Sequence, residues 1–159
     1  MSGTTVSELL ELDHRRLDRL LGQAIESISS EAWDPACEAF AAFQEGIEKH
    51  IQLEEQFLFP AFEDANGGFA GPTEVMRAEH AEILRAAGDI SLRIKAKRNC
   101  LEELDSLTRL LSAHNLKEEQ VLYPATERIL EALGQRDQLL RQMEALASPG
   151  ASPRKIERA

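Results

Sequence analysis

Four histidines stand in this 159-residue chain, at positions 14, 50, 80 and 114, and two are followed four residues later by a glutamate. These pairs are His50-x-x-x-Glu54 and His114-x-x-x-Glu118. On a helix a four-residue step turns the side chain by about 40° and rises about 6 Å. Each His–Glu pair therefore projects from one face and can grip one cation or two neighbouring ones. Imidazole suits zinc, copper, iron or nickel, whereas carboxylates able to bridge favour harder ions. The combined set points to iron, with manganese or zinc as alternatives. Six ligands fill one octahedral site or serve two metals, each with two histidines and both sharing the glutamates.

The pairs lie in an internal repeat. Residues 49–63, KHIQLEEQFLFPAFE, match residues 113–127, AHNLKEEQVLYPATE, at eight of fifteen positions with an offset of 64. His14 and His80 repeat at an offset of 66, each after an acid, as Asp13-His14 and Glu79-His80. The chain reads as two helical hairpins, each with a histidine early in its first helix and a His-x-x-x-Glu late in its second. In antiparallel helices those positions fall at similar height, so the six side chains can converge on one layer. The two-fold repeat favours two metals, one to each hairpin.

The elements that must carry this layer are helical. Leu, Ala, Glu and Arg dominate and β-branched runs are absent. Thr5-Val-Ser-Glu8 is a capping box for a first helix running to about Ser29. Asp34-Pro35 starts a second, which ends by Asn66-Gly67-Gly68. Pro72-Thr73-Glu74 opens a third, to about Lys97, and a fourth runs from about Asn99 to Leu133, before Gly134. Residues 136–147 predict a short fifth helix. The fold class is all-α, an antiparallel up-down-up-down four-helix bundle with a short C-terminal helix, in one domain over 1–147. The Pro/Gly/Ser-rich segment 148–159 is expected to be a flexible tail.

Alternating steps of four and three trace a seam through each helix. The first gives Leu10, His14, Leu17, Leu21, Ala24 and Ile28. The second gives Phe40, Phe43, Ile47, His50, Glu54, Phe57 and Ala61. The third gives Thr73, Met76, His80, Ile83, Ala87, Ile90 and Ile94, and the fourth Leu104, Leu107, Leu111, His114, Glu118, Val121 and Ala125. All four histidines and both glutamates fall on the face turned to the core. Buried without partners, such groups would cost several kcal/mol each, roughly; a cation takes up lone pairs from all six at once.

Neighbouring residues are read more plainly. Glu55 and Glu119 are solvated or support the ligands, and Asp13 and Glu79 face solvent. Gln56 and Gln120 bond the site or join helices. Pro60 and Pro124, each six residues after its glutamate, are expected to free a carbonyl and impose a shared kink that shapes one end of the bundle. Tyr123 is read as packing, with a polar contact to the metals as the alternative. Phe40, Phe43, Phe57, Phe59 and Phe62 are core. Cys37 and Cys100 lie near the starts of diagonal helices, too far apart for a disulfide.

The charge balance, 18 Lys plus Arg against 28 Asp plus Glu, gives a net −10. It argues against nucleic-acid binding and against attachment to an anionic membrane surface. No basic-then-apolar leader and no membrane-length apolar run are seen, so a cytoplasmic protein is expected, monomeric or homodimeric.

In order, Asp13-His14, His50-x-x-x-Glu54, Glu79-His80 and His114-x-x-x-Glu118 resemble the hemerythrin-like (HHE cation-binding) family, over about residues 8–130. The resemblance implies a di-iron centre in the bundle core, oxo- or hydroxo-bridged, open to a small ligand such as O2, NO or peroxide. His14, His50, His80 and His114 would be terminal ligands, and Glu54 and Glu118 the bridges. Oxygen-carrying members have a fifth histidine four residues after the third-helix one, where this chain has Leu84, and an Asp in place of Glu119. The ligand set looks more like the four-His, two-Glu subgroup associated with nitrosative-stress defence and iron-centre repair. The alternatives are a redox or oxygen sensor and an iron-handling module; the sequence does not commit the site to catalysis.

Overall fold

Thr5 starts the first helix as the sequence dictates: its hydroxyl accepts from the Glu8 amide while the Glu8 carboxylate accepts from the Thr5 amide, both at 3.0 Å. The computed structural model describes residues 4–147, so the tail expected over 148–159 lies outside the described residues. Four rods follow in order. The first is α1 (Val6–Ser29). The second is α2 (Trp33–Leu53), continued through a π-turn at Glu54–Leu58 into α3 (Phe59–Ala65). The third is α4 (Gly71–Lys95). The fourth is α5 (Leu101–Lys117), continued through a second π-turn at Glu118–Leu122 into α6 (Tyr123–Leu133). Helix α7 (Arg136–Ala147) closes the described chain.

The helix ends follow local chemistry. Asp34 and Pro35 sit inside the first turn of α2 rather than capping it, because the helix begins at Trp33 with no side-chain cap. There the acid faces the positive end of the helix dipole and the missing proline N–H costs nothing. The Asn99 side chain accepts from the Leu101 amide at the head of α5. Gly134, at φ 68°, takes the left-handed conformation that ends α6.

The rods form the antiparallel up-down-up-down bundle expected of the pattern. Consecutive rods pack as neighbours, and the first meets the fourth to close the ring. Gly46 permits the close approach of the first two: a Cβ built there would lie 2.6 Å from Leu17 Cδ2. The core has two apolar clusters. One, around Leu21, Phe40, Phe43, Ile83, Ile90 and Leu107, fills the half holding the α1–α2 and α4–α5 connections. The other, around Leu10, Leu58, Phe59, Leu122, Tyr123 and Leu130, fills the opposite half, where Leu140, Met143 and Leu146 of α7 join it. The polar layer lies between them.

The seam holds through Glu54 and Glu118 and then slips. Phe57 and Ala61 are only partly buried, and Leu58 and Phe59 take the core positions instead. In the fourth rod Val121 is 65% exposed and Ala125 only partly buried, while Leu122, Tyr123 and Thr126 are buried. The cause is the π-turn, in which the Phe59 N–H donates to the Glu54 carbonyl and the Tyr123 N–H to the Glu118 carbonyl, each five residues back. One extra residue per turn rotates everything beyond it by about 100° relative to an α-helix. Pro60 and Pro124, which lack the N–H an uninterrupted α-helix would use, stand second after each turn. Where a kink was expected of the prolines, the structure has a π-turn before each and a shift of register.

This register makes a direct prediction. Leu122→Ala should cost about 2–5 kcal/mol of stability in chemical denaturation, as a buried leucine does. Val121→Ala should change it by less than about 0.5 kcal/mol. The reverse order would restore an uninterrupted α-helix.

Candidate metal centre

Each of the four rods delivers one histidine to the layer: α1 His14, α2 His50, α4 His80 and α5 His114, all buried. Glu54 and Glu118 open the two π-turns and are 0% exposed. The structure thus brings together all six residues singled out from the sequence, in two overlapping groups that could hold a metal ion. One comprises His14, His50, Glu54 and Glu118, the other His80, His114, Glu54 and Glu118; within each, the donor atoms lie within 4.8 Å of one another. The glutamates divide their oxygens between the groups. Glu54 Oε2 is 3.1 Å from His50 Nε2 and its Oε1 is 3.0 Å from His80 Nε2. Glu118 Oε1 is 3.2 Å from His14 Nε2 and its Oε2 is 3.0 Å from His114 Nε2.

The other ring nitrogens are held from outside. His50 Nδ1 lies 2.9 Å from Asp13, His80 Nδ1 2.7 Å from Glu55, His114 Nδ1 2.7 Å from Glu79 and His14 Nδ1 2.6 Å from Glu119. Nδ1–H donating to a carboxylate leaves Nε2 with its lone pair aimed inward, the tautomer a metal ligand needs. Each acid braces the histidine of the next rod, first to second, second to third, third to fourth and fourth back to first. Asp13 and Glu79, expected to face solvent, are therefore part of the site, because the groove between adjacent rods carries them past their own histidine to the neighbour's. Glu55 and Glu119 hold the supporting role allowed for them. Gln56 and Gln120 are exposed.

Tyr123 also belongs to the site. Its hydroxyl donates to Glu54 Oε2 and lies 3.1 Å from Glu118 Oε1, 3.2 Å from His14 Nε2 and 3.5 Å from His50 Nε2. Sequence reading favoured packing for it, with this polar contact as the alternative; on an uninterrupted α-helix, residues five apart point about 140° away from each other. The π-turn brings Tyr123 back over Glu118. The signal that would have revealed this is the proline after each HxxxEExxLx segment, which marks the turn.

The electrostatics describe a site with protons where a cation can sit. Burial pushes the His50 imidazole down, but the Glu54 carboxylate and the bond to Asp13 outweigh it and hold it up at about 10. His80 is held at about 10 in the same way, against burial, by Glu118 and Glu54. Burial works to raise Glu118, yet the His114, His14 and His80 imidazoles that face its oxygens keep it well below the usual carboxylate range. Burial and the two carboxylates push the Tyr123 phenol well above its ordinary value, so it keeps its proton as a donor.

The residues present fit a cation. Glu54 Oε1, His80 Nε2 and Glu118 Oε2 are buried with no hydrogen-bond partner, although each faces another donor atom of the layer. A buried polar atom left in that condition costs about 1–3 kcal/mol, and a positive ion among them satisfies all three.

A helical bundle whose apolar core is interrupted by one layer of imidazoles and carboxylates is the architecture of a cation-binding bundle protein. The chain belongs to the hemerythrin HHE cation-binding domain family, whose model matches residues 5–126 and so includes all six layer residues and Tyr123. Among curated proteins it is similar to an uncharacterized protein of Mycobacterium tuberculosis and one of Mycobacterium bovis, each 28% identical over 148 residues. The match covers 84% of this chain and 58% of each relative, so the chain spans less than two thirds of their length. No solved structure matches the chain. No helix among the described residues is long and apolar enough to cross a membrane.

The proton-holding layer has a testable consequence in metal-free protein. His50 and His80 have folded values near 10, above the ordinary 6.5. Their stabilisation is therefore complete below pH 6.5 and is lost as the pH rises toward 10. Thermal melts in chelator should show the midpoint falling across that window. A midpoint that rises or stays level would show that the empty layer holds no imidazolium.

Proposed function

We propose that the chain is a non-haem di-iron protein that binds or reacts with a small ligand, O2, NO or peroxide, in the bundle core. The observation that carries this reading is the division of both glutamates: each offers one oxygen to the His14–His50 side and the other to the His80–His114 side. Two ions sharing both carboxylates satisfy that arrangement, and four nitrogens with two bridging carboxylates suit iron, with manganese or zinc behind. His14, His50, His80 and His114 are the terminal ligands and Glu54 and Glu118 the bridges. A bound ferrous pair supplies electrons and open coordination positions to the small ligand.

The chain's own residues do the rest. Asp13, Glu55, Glu79 and Glu119 orient the four rings and raise their basicity. The apolar clusters on either side exclude water and larger molecules, which restricts the site to small ligands. The burial of all six donors favours an ion that is retained over one handed to other proteins. Cys37 and Cys100, both free, suit the reducing cytoplasm where ferrous iron is loaded.

Protein expressed in iron-replete cells should carry close to two irons per chain, and Glu54→Ala should lower that sharply while circular dichroism stays helical. Stable protein that takes up no iron would sink the reading, and unchanged iron in the variant would refute the bridge. Glu119→Gln, which keeps the shape of the brace and removes its charge, should weaken metal affinity by about 10–100-fold in a chelator competition.

A further inference from the structure

The two halves of the centre differ at one place in the repeat. The 64-residue offset pairs Tyr123 with Phe59. Each is the first residue after its π-turn and each is buried. Each ring stacks on a histidine of the other hairpin: Phe59 on His80 at 5.5 Å and 11°, Tyr123 on His14 at 5.7 Å and 22°. The difference between them is one hydroxyl, and it is placed selectively. Its contacts with Glu54 Oε2, Glu118 Oε1, His14 Nε2 and His50 Nε2 take in one donor atom from every member of the first group. At the matching position of the second group stands the apolar edge of Phe59.

A hydroxyl has one proton, and Tyr123 places it on Glu54. Once a cation has displaced the layer's imidazolium protons and each histidine donates only Nδ1–H outward, the oxygen also faces the lone pairs of Glu118, His14 and His50. One proton cannot serve four acceptors, and in that state the cation itself joins them. The spacing agrees with that role. Neighbouring donors on a six-coordinate ion with bonds of about 2.1 Å lie about 3 Å apart, and the oxygen is 3.1 Å, 3.2 Å and 3.5 Å from three of the four.

We propose that Tyr123 is a fifth protein ligand to the ion held by His14 and His50, which makes the two ions of the centre inequivalent. On coordination the phenol O–H bond is replaced by an oxygen–metal bond and the proton leaves to solvent. The first ion then has five protein donors. The second would have four, from His80, His114 and the two glutamates, which would leave the open position for a small ligand on the Phe59 side. This assignment rests on the di-iron reading above but can fail without it.

Tyr123 is the chain's only tyrosine, so a tyrosinate signal can have no other origin. Ferric-loaded wild-type protein should show a phenolate-to-iron charge-transfer band in the visible, and excitation within it should enhance tyrosine ring vibrations in the resonance Raman spectrum. Tyr123→Phe should lose both while retaining two irons. Azide added to the ferric protein should leave the wild-type band in place. Two bound irons without the band, or a band that survives in Tyr123→Phe, would overturn the assignment and leave the bridged pair standing. Displacement of the band by azide would place the open position on the tyrosine side and overturn the proposed entry point. Failure to bind iron at all would remove the di-iron reading and this inference together. The wild-type spectra decide the matter even where the variant folds poorly.

Discussion

Two carboxylates with no exposure to water, set among four imidazoles in the middle of an apolar bundle, are the constraint to which the rest of this molecule answers. Placing even one ion-sized charge in such a core costs several kcal/mol, roughly, unless opposite charge and hydrogen bonds surround it. The chain supplies those partners in concentric order. Inside, the glutamate oxygens and Nε2 atoms face one another; outside, four acids on the rod surfaces take the Nδ1 protons. Apolar clusters above and below then isolate the layer, so its partners must come from within it.

The π-turns show how the backbone serves the layer. An α-helix carrying His and Glu four apart presents both to the core but turns the residue five beyond the glutamate-bearing position away from it. A single extra residue in the turn keeps the His–Glu spacing and brings the next aromatic onto the site as well. Both turns begin at a layer glutamate and end before an aromatic-proline pair. The local irregularity is therefore matched to the chemistry at the same step of the repeat, which is where π-turns tend to occur.

Much of this was legible from residue order. The bundle, its helix count and the six layer residues follow from polar side chains recurring on an otherwise apolar stripe, a pattern hard to produce by chance in two copies. The slip after Glu54 and Glu118 was not legible, since counting by fours and threes assumes 3.6 residues per turn throughout. It misplaced Phe57, Ala61, Val121 and Ala125, and it hid the approach of Tyr123. The roles of Asp13 and Glu79 were obscured for another reason. An acid beside a core histidine lies about 100° round its own helix, and whether that direction meets water or a neighbouring rod depends on packing, which one helix alone does not reveal.

The ring of braces also carries a sense of rotation. Every acid reaches forward to the rod that follows it in the chain, and the last reaches the first. Four antiparallel rods can be arranged around a core in two circular orders that are mirror-related in topology, and an apolar stripe alone scarcely distinguishes them. In the opposite order Asp13, Glu55, Glu79 and Glu119 would point away from the rings they now hold, leaving four imidazoles unsupported and four acids without their partners. The same contacts that aim the nitrogens thus act as a chirality lock on the assembly of the bundle.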